Sequence, residues 1–188
     1  DPGTVEAIAR QLKRVHDRGV EVAVVLGAGN IYRGLEGAAA GMDRVFGDQM
    51  GMLATVINAL AIQDTLERNG QPARVQSAIR INEVCEDFIR LKAIRHLQKG
   101  GVVIFAAGTG NPFFTTDSAA ALPAIEIGCD LLLKAAQEEG IYTAHPNRDA
   151  TAKLLPEVTY QQVLERNLQV MDAAAISLCR ENGLPIVV

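Results

Sequence analysis

The sequence predicts an α/β fold, an open and mainly parallel sheet flanked by helices, in a single domain over residues 1–188. Three observations predict it. Stretches with apolar residues three and four apart alternate with short Val- and Ile-rich runs, and the runs are continuous, as buried parallel strands require. No internal repeat or low-complexity linker breaks the alternation.

Taken in order, Asp1-Pro2 reads as an N-cap and a first helical residue. Val5, Ile8, Leu12 and Val15 give this helix one apolar face, and Gly19 stands where a C-cap belongs. Val20 to Leu26 reads as the first strand. A long helix is expected from Asp48 to Asn69, a strand over Ala73–Ser77, a helix over Glu86–Lys99 and a strand over Val102–Ala106. A helix around Ser118–Ile127 and a strand over Leu131–Lys134 follow. The chain is then irregular until Thr159, a cap for a helix through Arg166. Asp172–Asn182 forms another helix, stopped by Gly183, and Pro185–Val188 is strand-like. Ligands of such sheets gather beyond the carboxyl ends of the strands, which is where the unusual loops of this chain fall.

Composition narrows the function classes. Apolar residues make up 48% of the chain, enough for a substantial core, yet no apolar run approaches the ~18 residues that span a bilayer. The chain therefore reads as soluble, with no membrane partner. A net charge of −4 and the lack of a basic run argue against non-specific nucleic-acid binding, which depends on phosphate neutralisation. Cys85, Cys129 and Cys179 are odd in number and widely spaced, as expected of buried thiols in a reducing compartment. His16, His96 and His145 are scattered, and no pair has metal-ligand spacing.

The most informative loop runs from Gly108 to Ser118, between a strand and an Ala-rich helix. Its glycines let the backbone bend and approach a ligand, Pro112 stiffens the turn, and Thr116 or Asp117 can cap the helix. The free N–H groups of a helix start suit an anion. The other reading is a capped β-to-α turn with two buried phenylalanines. A second loop, Gly27-Ala28-Gly29-Asn30-Ile31-Tyr32-Arg33-Gly34, follows the first strand. It lacks the spacing of a dinucleotide or Walker A loop, but Arg33 offers a planar fork of donors suited to phosphate. A third, glycine-rich segment from Gly41 to Met52 places Asp48 near a helix start. There a carboxylate either complements the helix dipole or accepts hydrogen bonds from sugar hydroxyls.

These segments carry a resemblance. Gly-Ala-Gly-Asn-Ile-Tyr-Arg-Gly from Gly27, Gly-Asp-Gln-Met-Gly-Met-Leu-Ala-Thr from Gly47 and Gly-Thr-Gly-Asn-Pro-Phe-Phe-Thr-Thr-Asp-Ser from Gly108 resemble the bacterial uridylate kinases, of the amino-acid kinase superfamily. Leu132-Leu133-Lys134-Ala135, Gly140-Ile141-Tyr142-Thr143 and Val170-Met171-Asp172 continue the match in order along the whole chain. The resemblance implies an amino-acid kinase-like fold and transfer of the ATP γ-phosphate to UMP, giving UDP for pyrimidine nucleotide biosynthesis, with Mg²⁺ accompanying ATP. It further implies a cytoplasmic homohexamer activated by GTP and inhibited by UTP.

Residue by residue, the resemblance implies that Arg33 contacts the transferring phosphate and that Asp117 organises the catalytic charges. Lys134 and Asp172 would lie near the phosphates. Ala28, Asp48 and the loop of Thr109, Gly110, Asn111, Pro112, Phe113, Phe114, Thr115 and Thr116 would bind UMP, with Asp48 on the ribose. Gly29, Arg33, Ala136, Tyr142 and His145 would line the ATP side, Gly29 by the phosphates and Tyr142 by the adenine. Such a set suits phosphoryl transfer, which needs in-line positioning and charge cancellation more than covalent chemistry.

Departures from the family pattern are Ala28 for a glycine, Ala136 for a threonine and His145 for an acidic residue. Ala28 is penalised if its φ is positive. The family's opening strand, ending Lys-Leu-Ser-Gly, and its final hairpin and helix fall outside the chain. The expectation is therefore a fragment lacking its first strand and C-terminal segment. The alternative is a uridine-nucleotide-binding or assembly subunit with little turnover. A superfamily kinase acting on a carboxylate or carbamate is disfavoured, within the resemblance, by Asp48 and the Phe113-Phe114 loop.

Overall fold

The computed structural model describes residues 1–32, 41–136, 140–145, 147, 149–168 and 170–188. The chain divides into two compact units, Asp1–Ala119 and Ala120–Val188.

The first unit is built on a four-stranded, all-parallel sheet. Its strands are β1 (Ala23–Val25), β2 (Ala73–Ser77), β3 (Glu86–Asp87) and β4 (Val102–Ala106), in the order β1-β4-β2-β3. β4 is buried along its whole length because it has a strand on either side and helices on its faces, which is why its sequence is continuously apolar. Helix α1 (Pro2–His16) starts at Asp1, whose carboxylate accepts from the Thr4 N–H at 2.9 Å. Its Val5, Ile8, Ala9 and Leu12 pack into the core, but Val15 is exposed, so the apolar face ends a turn earlier than the spacing suggests.

Helix α2 (Arg44–Arg68) is the spine of this unit. It begins at Asp43, whose carboxylate accepts from the Val45 and Phe46 N–H groups, so Asp48 lies inside the helix rather than at its start. Met52, Val56, Ala59, Ile62 and Leu66 are buried in the same core as Val75, Val102 and Ile104 of the sheet. By length and hydropathy α2 could span a bilayer, contrary to the expectation that no segment could. Few charges interrupt its middle because that stretch supplies the core. On another face Phe46, Met50, Leu53 and Ile57 are exposed at helical spacing.

β2 and β4 form where the sequence predicts. The expected helix over Glu86–Lys99 does not: Glu86 and Asp87 pair with Gln76 and Ser77 as β3, and helix α3 (Arg90–Gln98) starts after Ile89. Tertiary pairing overrides helix propensity there. The Glu86 carboxylate accepts from Gln76 Nε2 at 3.1 Å and lies 3.0 Å from His96 Nε2. Burial alone would raise its pKa, but these hydrogen bonds and the nearby charges of His96 and Lys92 outweigh it and hold the group below the usual glutamate range.

Helix α4 (Thr116–Ile127) carries the chain from the first unit into the second. The second unit has short strands: β5 (Leu132–Leu133) pairs in parallel with β8 (Ile186–Val187), and β6 (Ile141–Tyr142) pairs antiparallel with β7 (Leu154–Leu155). That hairpin falls where the sequence reads as irregular, since two-residue strands carry no period to detect. Helix α5 (Tyr160–Glu165) opens with a capping box between Thr159 and Gln162, and helix α6 (Ala173–Asn182) runs from Asp172 to Gly183, whose φ is +64°. Ala175, Ile176, Cys179, Val163 and Leu184 form its core. Of the three thiols only Cys179 is buried, and burial pushes its pKa up; Cys85 and Cys129 are half-buried.

Candidate functional site

The loops after β1 and β4 are both tied to α2. Ala28 O accepts from the Ile31 and Tyr32 N–H groups at 2.8 and 2.9 Å, which closes the glycine-rich turn after β1. Asn58 Nδ2 donates to Gly27 O and to Asn30 Oδ1, both at 2.8 Å, and Asn30 Nδ2 donates back to Asn58 Oδ1 at 3.2 Å. Ala28 is buried and is not among the described non-glycine residues with positive φ, so its β-carbon carries no backbone penalty. Arg33 lies outside the described residues.

The loop after β4 is held at two strained points. Ala107 and Phe113 have φ of +65° and +71°, a region that side chains with a β-carbon disfavour. Each has its N–H fixed by a side chain of α2. Ala107 N donates to Thr55 Oγ1 at 2.7 Å, while Thr55 Oγ1 itself donates to Met52 O. Phe113 N donates to Asp48 Oδ2 at 2.8 Å. Between them Gly110, at φ +77°, passes so close to β2 that a β-carbon would lie 3.0 Å from Ala78 O. A side chain there would be strained by the positive φ and crowded against that carbonyl. Thr109 and Asn111 hydrogen-bond each other within the turn.

Two expectations need correction in this loop. Thr115, not Thr116 or Asp117, makes the cap, its hydroxyl accepting from the Asp117 and Ser118 N–H groups at 3.1 and 3.4 Å. Thr116 and Asp117 are instead in the first turn of α4, where the carboxylate suits the helix dipole. Phe113 and Phe114, buried in the turn-only reading, are 66% and 55% exposed. Two large rings on a constrained loop, next to a carboxylate, suit a flat ligand better than a core. A β-carbon on Gly27 would lie 3.5 Å from Thr116 Oγ1, so the two loops meet at the start of α4.

Thus Ala28, Asp48, Thr109 to Thr116 and Asp117 belong to one neighbourhood of the first unit. The sequence reading misses the residues that build it: Arg44, Thr55 and Asn58 on α2, with Asn30 opposite. Asp48, Thr55 and Asn58 recur at steps of seven and three, one face of a helix, and a polar row on so apolar a helix is the signal that could have found them.

Gly29 is exposed in the turn after β1, and the second unit holds the remaining expected residues. Lys134 follows β5, half-buried, its N–H bonded to Val187 O at 2.8 Å. Ala136 is exposed. Tyr142 is half-buried in β6, and the neighbouring His145 accepts from the Asn147 N–H through Nδ1 at 3.3 Å. The Asp172 carboxylate caps α6, accepting from the Ala175 N–H at 2.9 Å. Among the described residues no three or more His, Cys, Asp or Glu gather as a metal site.

Comparison with known proteins bears on the family and the fold. A family model described as the amino acid kinase family matches residues 1–188. The chain is 62% identical over 188 residues to a protein of Paramagnetospirillum magneticum named uridylate kinase, covering all of this chain and 78% of that protein. The crystal structure of a UMP kinase from Bacillus anthracis superposes with a TM-score of 0.94 at 38% identity, covering 99% of this chain and 77% of that one. A UMP kinase from Ureaplasma parvum does so at 0.91 and 35% identity, covering 97% and 79%.

Proposed function

The chain belongs to the amino acid kinase family, and on that premise we infer that it is a UMP kinase, transferring the γ-phosphoryl group of Mg·ATP to UMP. The observation that carries this reading is the match along the whole chain to a protein named uridylate kinase. The loop geometry supports it.

A phosphate oxygen of UMP attacks the γ-phosphorus, the bond to the β–γ bridging oxygen breaks, and ADP and UDP leave. The protein's part is to align the two phosphates and offset their charge. Asp48 accepts hydrogen bonds from the ribose hydroxyls. Phe113 and Phe114 flank the acceptor nucleotide, Ala28 and Thr109 to Thr116 complete its cradle, and the start of α4 faces its phosphate. Arg33 and Lys134 supply positive charge for the moving group, and Asp117 organises the catalytic charges. Gly29 allows the ATP phosphates to come close, Tyr142 packs by the adenine, and Ala136 and His145 line that side. Asp172 lies near the phosphates in addition to capping α6.

One family model running through residues 1–188 supports reading the two units as one domain. The exposed apolar row on α2 supports a homo-oligomer, a hexamer by resemblance. Cytoplasmic placement, service in pyrimidine biosynthesis, the choice of Mg²⁺, and control by GTP and UTP rest on the resemblance alone.

Isothermal titration calorimetry against UMP, CMP, AMP and Mg·ATP tests the reading. UMP should bind at least about tenfold more tightly than CMP or AMP, a difference of ~1.4 kcal/mol. Equal affinities would remove the assignment. Asp48→Asn should weaken UMP by roughly tenfold to a hundredfold, as expected for a lost charged hydrogen bond, and leave Mg·ATP unchanged. Equal losses for both nucleotides would place Asp48 outside the acceptor site.

A further inference from the structure

We propose that Arg44 is a positioning residue of the acceptor site, a role that rests on the UMP reading of Asp48 and the Phe113 loop. Arg44 Nε lies 2.8 and 2.9 Å from the two carboxylate oxygens of Asp48. Its guanidinium carbon stands 5.7 Å from the centre of the Phe113 ring. The Phe113 N–H in turn donates to Asp48 Oδ2. One cation therefore touches both the carboxylate that reads the sugar and the aromatic residue at the strained corner of the loop.

Two physical consequences follow. The first concerns aim. A carboxylate on a helix can rotate about its side-chain torsions, and a guanidinium straddling both oxygens fixes its plane. With Oδ2 also committed to Phe113, the remaining lone pairs keep one direction in which to meet a ligand hydroxyl. The second concerns charge. The Asp48 side chain is only 14% exposed. UMP brings a phosphate dianion into the same neighbourhood. An unpaired carboxylate there would repel it, and Arg44 cancels that charge. The stack over Phe113 adds a cation–π contact to the same arrangement.

α2 carries an internal control. Asp64 and Arg68 form another i, i+4 pair on the same helix, 2.9 Å apart, with both side chains about two-thirds exposed. If pairing on this helix mattered only for helix stability, both arginines would behave alike.

The test is calorimetric titration of Arg44→Met, Arg44→Lys and Arg68→Met with UMP and with Mg·ATP, at low and at high salt. Arg44→Met should raise the UMP Kd about tenfold or more, the size expected for a charge-assisted contact, with Mg·ATP unchanged. The loss should be larger at low salt, where repulsion is least screened. Arg44→Lys should recover part of it by restoring the charge, and Arg68→Met should bind as wild type. In an Asp48→Asn background, Arg44→Met should add little, because it acts through that carboxylate.

UMP binding by Arg44→Met within about twofold of wild type, inside the usual error of additivity, would overturn the proposal. So would equal loss of both nucleotides, or full additivity with Asp48→Asn. If Arg44→Met does not fold, Arg44→Lys and Arg44→Gln carry the same comparison. A wild-type chain with no preference for UMP would overturn the functional reading itself, and this inference with it.

Discussion

The two units fix their loops in different ways. In Asp1–Ala119 the loops after β1 and β4 are pinned by hydrogen bonds that join residues far apart in sequence: Asn30 to Asn58, Thr55 to Ala107, Asp48 to Phe113. In Ala120–Val188 only Lys134, whose N–H donates to Val187 O, shares in a long-range pairing among the expected site residues described above, and the others sit on local devices. Asp172 caps the helix it precedes, Thr159 and Gln162 close a capping box three residues long, and Tyr142 lies in a two-residue hairpin strand. Long-range pins hold backbone in conformations that its own sequence disfavours, such as φ +71° at Phe113. Local caps only end or start elements that would form anyway. The first unit can therefore present a pre-shaped loop to a ligand, at the cost of depending on one helix for its geometry.

This contrast can be broken or sharpened in three ways. The largest effect is expected in the cores. Leu66→Ala in α2 and Ile176→Ala in α6 each remove a fully buried side chain, and each should cost ~2–5 kcal/mol in urea unfolding. Amide hydrogen exchange should then accelerate first in the unit that carries the substitution. Equal acceleration through both would mean that the division has no energetic counterpart.

A middling effect belongs to the pin at Ala107. Thr55→Val keeps the shape but leaves the Ala107 N–H buried without its acceptor, at about 1–3 kcal/mol, whereas Thr55→Ser should restore it. UMP affinity should fall with Thr55→Val even where the protein remains folded. A change in stability with no change in UMP binding would separate the pin from the site.

The smallest effect is expected at a local cap. Asp172→Ala should cost ~1 kcal/mol in thermal unfolding, the ordinary value for a lost N-cap. Measuring Mg·ATP binding on the same variant decides its second role. Unchanged binding would make Asp172 a cap and nothing more, while a loss larger than the stability change would support its proposed place near the phosphates.

The same contrast explains what could be read from the sequence. β2 and β4, the Asp1 start of α1, the Thr159 cap and the Asp172–Gly183 frame of α6 are written in neighbouring residues, so periodicity and cap chemistry found them. The motifs around Gly27, Gly47 and Gly108 are also local, and they were enough to find the family resemblance. The start of α2 moved from Asp48 to Arg44 because Asp43 supplies the cap, and the start of α3 moved to Arg90 because Glu86 and Asp87 found a strand partner in β2.

By itself, then, the sequence determined the alternation of helices and strands and the chemistry gathered at its loops, because each depends on residues within a turn or two of one another. Tertiary structure alone decided that Phe113 and Phe114 face solvent, that Ala28 escapes backbone strain, and that Arg44, Thr55 and Asn58 shape the loops. Those outcomes depend on which distant backbone group a helix side chain meets, and that meeting exists only once the chain has packed.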